Sequence, residues 1–290
     1  MKVLCIGLAT VDIQYLVADL PKRNKKAKTN APLIAIGGPA TNAALVASRL
    51  GSEVELLSCF GENGFTEMFW KEMKDYNVHA YDLMRGNPFD PIIASIFTYQ
   101  DNGDRSIISS LPSANSEILP LDNLTRQVYD AILLDGFYIK SILPLVEQLA
   151  KKTIPLVLDG GSWKEGMENL LPFINIAVCS EDFFPPGCSN SQQVCDYLFE
   201  YDSIEQVVIT RGEKSVLYFT KEQRVEIDVK NTDVVDTLGA GDFFHGAFLH
   251  YITHYPIVKA IEKSSDIATL SCGSFGTREW FKEIEKIDTL

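Results

Sequence analysis

Several signatures that would settle a function at once are missing from this chain of 290 residues. It has no GxxxxGK[ST] run, which argues against a P-loop nucleotidase, and its opening VLCIGLATVD has no GxGxxG, so no dinucleotide site is expected. The six cysteines form no Cys-x-x-Cys pair. Cys5, Cys59 and Cys179 sit in apolar, strand-like runs and read as small buried hydrophobes, not disulfide partners or metal ligands. Histidine is scarce. His250 and His254 stand four apart without the glutamate of an HExxH zinc motif, so the histidines read as ordinary helix residues. No run of about 18 apolar residues suggests a membrane span. The N-terminus opens on the strand-like Val3-Leu4-Cys5-Ile6-Gly7 and lacks the regions of a signal peptide, so a cytoplasmic protein is expected. Positive charge is in deficit, 26 Lys and Arg against 39 Asp and Glu, and the net charge of −13 argues against nucleic acid as a main partner. A phosphate-bearing substrate needs only a local positive field, so the acidity leaves phosphoryl transfer open.

What is present is a pattern of alternation. Strand-like runs at 3–8, 53–60, 131–134, 155–159, 176–179 and 206–210 are separated by helical stretches at 39–50, 64–76, 139–151, 191–201 and 256–272. Such alternation predicts a mostly parallel sheet covered by helices on both faces. With 46% hydrophobic residues and no repeat, low-complexity tract or linker, the chain reads as one α/β domain over 1–290. Two segments break the pattern. Residues 13–36 carry the basic run Lys22-Arg23-Asn24-Lys25-Lys26-Ala27-Lys28 between extended stretches. Residues 91–110 read as two strands joined by Asp101-Asn102-Gly103-Asp104, a strong hairpin signal. Together they make a candidate small sheet projecting from the main body, although the charge run alone fits a solvated turn.

The stretch with the most chemistry is Asp236-Thr237-Leu238-Gly239-Ala240-Gly241-Asp242, followed by an apolar helical run from Phe243. The glycines allow a tight turn. The turn presents unpaired N–H groups at a helix N-terminus, where the dipole also favours an anion. Asp242 lies in the same first turn, and a carboxylate there can accept a hydroxyl proton. An anion hole beside a base is equipment for moving a phosphoryl group onto an alcohol. The plainer reading is a glycine turn with an aspartate cap. A second stretch, Gly37-Gly38-Pro39-Ala40-Thr41-Asn42-Ala43-Ala44, starts another helix with proline at its first position. Its alanines make a thin flank suited to close packing, while Gly38 and Asn42 could let a small ligand reach backbone and amide.

DTLGAGDFFHGAF and GGPATNAA, in that spacing, resemble the two signatures of the ribokinase-like (PfkB) carbohydrate kinases. The resemblance runs from Asp12 to Gly276 and is closest in motifs to ketohexokinase-like and sulfofructose kinase-like members. It implies a three-layer α/β sandwich with a β-sheet lid formed by about 13–36 and 91–110, a lid through which many members dimerise. It implies ATP and Mg²⁺, with a monovalent cation such as K⁺ as a further candidate, and a small sugar or sugar-like acceptor. By the same resemblance Asp242 is the catalytic base and Gly239, Ala240 and Gly241 the anion hole. Asp12, Gly38, Asn42 and Arg105 face the acceptor, while Thr210, Gly212 and Gly273 flank the nucleotide. The magnesium-linked Asn-x-x-Glu of the family is altered: Ser180 and Phe183 stand in its positions, leaving the acidic neighbours Glu181, the first candidate, and Asp182 to act through water.

The core acceptor residues offer an acid, a backbone and an amide but no cation, which favours a neutral sugar. Three alternatives stand beside it. Tyr15, Phe97 and Tyr99 could stack on the base of a nucleoside. Lys25, Lys26, Lys28 or Arg105 could meet a phospho- or sulfo-sugar. A non-catalytic ligand sensor could keep the fold.

Overall fold

Short apolar runs without alternation become the middle of a sheet buried on both faces. In this protein, a computed structural model describing residues 1–30, 32–110 and 122–286, that sheet has nine strands. The chain runs β1 (Lys2–Ile6), β2 (Thr10–Val17), β3 (Leu33–Gly37), α1 (Pro39–Arg49), β4 (Glu53–Ser58), α2 (Thr66–Asp75) and β5 (Val78–Asp82). It continues through β6 (Ile92–Tyr99), β7 (Arg105–Ser109), α3 (Asp122–Arg126), β8 (Ala131–Leu134), α4 (Ile139–Leu149), β9 (Leu156–Gly160) and β10 (Ile176–Ser180). The last part is α5 (Ser191–Leu198), β11 (Gln206–Arg211), β12 (Lys214–Phe219), β13 (Arg224–Ile227), α6 (Ala240–Tyr251) and α7 (Ile257–Ser271).

The large sheet has the order β13-β12-β11-β10-β9-β8-β1-β4-β5. It is parallel from β5 to β11, and β12 and β13 add antiparallel to one edge. Successive side chains of β1 go to opposite layers. Val3 and Cys5 pack with Leu45 of α1, Phe69 of α2, Phe248 of α6 and Ile261 of α7, whereas Leu4 and Ile6 pack with Ile142 of α4 and Val194 of α5. This is the expected three-layer sandwich. Strands β5, β12 and β13 were not expected from the sequence; β5 and β13 are short edge strands with exposed residues interleaved.

A second sheet, in the order β3-β2-β6-β7, lies beside it. It uses the two segments that broke the alternation, with differences. Strand β2 starts at Thr10, before the expected boundary, and the basic run 22–28 forms an exposed turn and no strand. Residue 31 of the expected segment is outside the described residues. Asp12, Gln14, Ile96 and Thr98 face inwards and are buried, while Ile34, Ile93 and Ile108 on the other face are exposed.

Two features of this topology place the site. Strand order reverses at β1, which lies between β4 and β8, and ligands of open α/β sheets sit outside the carboxyl ends of the strands at such a point. Helices α1 and α6 also meet closely on one face. A Cβ at Gly246 would fall 2.3 Å from the Ala43 carbonyl oxygen, so only glycine lets the backbones approach this far. The alanine flank of α1 serves that contact. Among the described residues no helix is long and apolar enough to cross a membrane.

Candidate active site

Gly239 opens α6 with φ 77°, a left-handed conformation that favours glycine, and a Cβ there would meet the Phe243 ring at 2.7 Å. The Ala240 N–H is taken by the Thr237 carbonyl at 3.3 Å. By their position in the first turn, the N–H groups of Gly241 and Asp242 lack an intrahelical acceptor. Gly241 is exposed, its backbone is not in the left-handed region, and nothing lies within 4 Å of where its Cβ would be. The open N–H groups at the start of α6 are therefore those of Gly241 and Asp242 and not that of Ala240, with Gly239 shaping the turn and Gly241 keeping the space above it clear.

Asp242 is half-buried, and its Oδ2 accepts a hydrogen bond from Asn42 Nδ2 at 2.7 Å. Its carboxyl is pushed above the usual carboxylate range, first by burial and next by the negative charge of Asp159. The Asn42 bond and His245 act against this. Behind Asn42 the bonds continue. Arg278 Nη1 donates to Asn42 Oδ1 at 3.1 Å, Arg278 Nε donates to Glu72 Oε1 at 2.7 Å, and a further Arg278 N–H reaches the Ile36 carbonyl. A cation thus does stand beside the candidate acceptor residue Asn42, which sequence reading missed, but Glu72 neutralises it.

Asp12 is buried on β2 and accepts the Thr10 hydroxyl at 2.6 Å. Burial raises its pKa, opposed by the Thr10 bond and by Arg278. A Cβ at Gly37 would fall 1.9 Å from Asp12 Oδ2, so glycine makes room for that carboxylate. Gly38, at φ 97°, caps α1, and a Cβ there would collide with the Leu8 carbonyl oxygen at 2.4 Å. The N-terminus of α1 already holds an anion. Asp135, fully buried at the end of β8, accepts N–H groups from Leu8 at 2.8 Å and Ala40 at 3.2 Å on Oδ2, and from Phe137 at 3.0 Å on Oδ1. Burial pushes its carboxyl up to about 6, against the nearby positive charge of Lys164 and the Leu8 bond.

The small sheet is fastened to the loop that precedes α6. Buried Asp236 accepts from Gln14 Nε2 at 2.5 Å, Thr98 Oγ1 at 3.4 Å, Leu238 N at 3.0 Å and Gly276 N at 2.9 Å. Those four donors engage both oxygens of the carboxylate. Arg105, opposite Thr98 on the inward face of the small sheet, gives Nη1 to Thr237 Oγ1 at 2.7 Å, and that hydroxyl donates to the Gly103 carbonyl at 3.1 Å. Arg105 thus latches the hairpin tip to the loop.

The nucleotide-side candidates sit elsewhere in the fold. Thr210, next to last in β11, has its hydroxyl on the Cys179 carbonyl at 3.3 Å, and Gly212 turns the chain into β12 at φ 60°. Gly273 is exposed just past α7, its N–H on the Leu270 carbonyl at 3.2 Å. Glu181 forms an ion pair with Lys214 at 3.1 Å. No group of three or more His, Cys, Asp or Glu that could hold a metal occurs among the described residues. Magnesium fits as part of the nucleotide substrate, since it retains waters and phosphate oxygens and needs few carboxylates.

The structure therefore brings together Asp12, Gly38, Asn42, Asp242 and the α6 N-terminus, and sets Glu181 in a separate ion pair. Sequence reading did not find Glu72, Asp135, Asp159, Asp236, His245 or Arg278. A carboxylate closing a core strand, as in LLDG and VLDG, was the one signal available for Asp135 and Asp159.

This architecture has known counterparts. The model of the pfkB family of carbohydrate kinases matches residues 1–284, and the chain belongs to that family of ATP-dependent, ribokinase-like kinases. It is 25% identical to a deoxyribokinase of Salmonella typhimurium, over 99% of this chain and 98% of that one. It is 23% identical to a nucleoside kinase of Methanocaldococcus jannaschii, over 99% and 97%. The fold matches the structure of Arabidopsis thaliana ribokinase complexed with ribose and ATP, with a TM-score of 0.78, 22% identity and coverage of 100% and 98%.

Proposed function

We propose that this kinase transfers the terminal phosphoryl group of MgATP to a hydroxyl of a neutral sugar or sugar-like alcohol, with Asp242 taking the hydroxyl proton. The observation that carries this reading is the Asn42 to Asp242 hydrogen bond at 2.7 Å. It joins the start of α1, where Gly38 and Asp12 can hold an alcohol, to the start of α6, where open N–H groups can hold the transferring phosphoryl. Positioning the two reactants in this way supplies several kcal/mol of barrier reduction. Thr210, Gly212 and Gly273 flank the nucleotide, and Arg105 holds the small sheet over the site. Glu181 acts on magnesium only through water, after release from Lys214. The exposed Ile34, Ile93 and Ile108 support a homodimer through the small sheet.

Neutrality of the acceptor follows from the state of the cations. Arg278 is bound to Glu72, and the lysines of 22–28 stand in an exposed turn. A nucleoside fits less well, because Tyr15 and Phe97 stack on each other with centroids 5.6 Å apart. The test is ADP release from MgATP with ribose, deoxyribose, fructose, fructose 6-phosphate, sulfofructose and adenosine. A neutral sugar should exceed the others in kcat/KM by about tenfold or more, roughly 1.4 kcal/mol in the barrier. Preferred turnover of adenosine or of an anionic sugar would overturn the reading.

A further inference from the structure

His245 lies on α6 three residues after Asp242 and is 3% exposed. Its Nδ1 is 2.7 Å from the Gly241 carbonyl oxygen, and its Nε2 is 3.1 Å from the Val178 carbonyl oxygen on β10. A carbonyl oxygen only accepts, so each ring nitrogen must donate to be satisfied, and only the imidazolium has two N–H groups. Either neutral tautomer would aim a lone pair of this buried ring at a carbonyl oxygen, which is costly. The compensating charge stands at the edge of the ring. Asp159 Oδ1, at the end of β9, is 3.5 Å from Nε2 and also accepts the Gly161 N–H at 3.0 Å. Asp159 Oδ2 is buried and has no hydrogen-bond partner among the described residues.

We propose that His245 is held as an imidazolium between β9, β10 and the first turn of α6, and that its charge keeps Asp242 ionised beside a second buried carboxylate. This rests on Asp242 being the base. His245 is then a positioning residue, since it reaches the chemistry through Asp242 and touches no substrate. The need for it is clear from the company it keeps. The titratable groups facing this cluster are Asp242 on its own helix, Asp159 on β9, the neutral thiol of Cys179 on β10, Asp12 on β2 and Asp135 just after β8, with Lys164 opposite Asp135. Helix α1 contributes the neutral amide of Asn42, with Arg278 and Glu72 behind it as a neutralised pair. Without His245, burial and the Asp159 charge would both favour a protonated Asp242, opposed by the Asn42 bond, and a protonated carboxyl is no base.

Two measurements test this. Nitrogen-15 NMR of the histidine-labelled full chain at about pH 7.5, without substrate, reads the ring directly. Its signals are assigned by their loss in His245→Asn or, should that variant not fold, by substituting the other three histidines. Both ring nitrogens should be protonated, and a neutral ring would overturn the proposal whatever the substrate is. The second measurement is the pH dependence of kcat/KM for His245→Asn, with MgATP and whichever sugar the wild type turns over. The acid limb should move up by about one pH unit, as expected for loss of a neighbouring opposite charge, with rates converging at alkaline pH. A uniform loss of rate with an unmoved limb would mean that the ring only fills space, and would overturn the proposal. Failure of the base assignment is distinguishable, because turnover would then survive Asp242→Asn while the NMR result stood.

Discussion

Helices α1 and α6 start side by side, each behind a left-handed glycine, yet their N-termini are used in opposite ways. That of α1 is closed: Asp135 from β8 accepts the Ala40 N–H, so the anion there belongs to the chain itself. That of α6 is open, with Gly241 exposed and no side-chain cap. The same physical device, unpaired N–H groups and a helix dipole, fixes the fold at one helix and leaves room for a ligand at the other. Asn42 connects them. An anion-binding motif is thus defined less by its glycines than by whether the protein has already filled it.

The comparison can be broken first at the closed end. Asp135→Ala would strand the Leu8, Ala40 and Phe137 N–H groups in the interior, at roughly 3 kcal/mol or more of stability. Urea unfolding measures this, and a loss below about 1 kcal/mol would mean that the closed end is not a structural anchor. The milder Asp135→Asn isolates the charge. Because burial raises the folded carboxyl from 3.8 to about 6, the native state holds that proton more tightly than the unfolded chain does. The contribution therefore favours folding at low pH and is lost as pH rises from about 4 through about 6. Wild-type stability minus that of Asp135→Asn should fall across this window, and a rising or flat difference would contradict the sign.

The glycines of α6 sharpen the contrast at a smaller scale. Gly239→Ala should cost about 1 kcal/mol or more of stability, from its left-handed backbone and the Phe243 ring. Gly241→Ala should leave stability nearly unchanged and lower kcat, because the methyl enters the open space above the first turn. Equal thermal shifts in the two variants would show that they do not divide the work this way. The smallest effect belongs to Glu181→Gln, whose partly exposed pair with Lys214 is worth about 0–1 kcal/mol. A large rise in the Mg²⁺ concentration needed for turnover would instead assign Glu181 to the metal.

The sequence carried local information well. Tight glycine turns, proline at the start of α1 and unbroken apolar strands each depend on neighbours a few residues away, so the sandwich and both helix starts were legible. The edges were less so, since β5 and β13 are short and interleave exposed residues that a half-buried pattern cannot separate from a loop. The site's electrostatics were not legible at all. Asn42 meets Asp242 across 200 positions and Arg278 across 236, and no spacing rule connects them. The same distance hid Glu72, which removes the charge that Arg278 would otherwise present. His245 was passed over because its neighbours in sequence are apolar, while its partners lie on β9 and β10.

The most direct test of the open end is the paired measurement of turnover and ATP binding in Asp242→Asn. The amide keeps the shape of the first turn and removes only the proton acceptor. The account predicts a folded protein that binds MgATP as the wild type does, with kcat lower by about 10²–10⁴-fold. Turnover within about threefold of wild type, far less than a general base contributes, would contradict it.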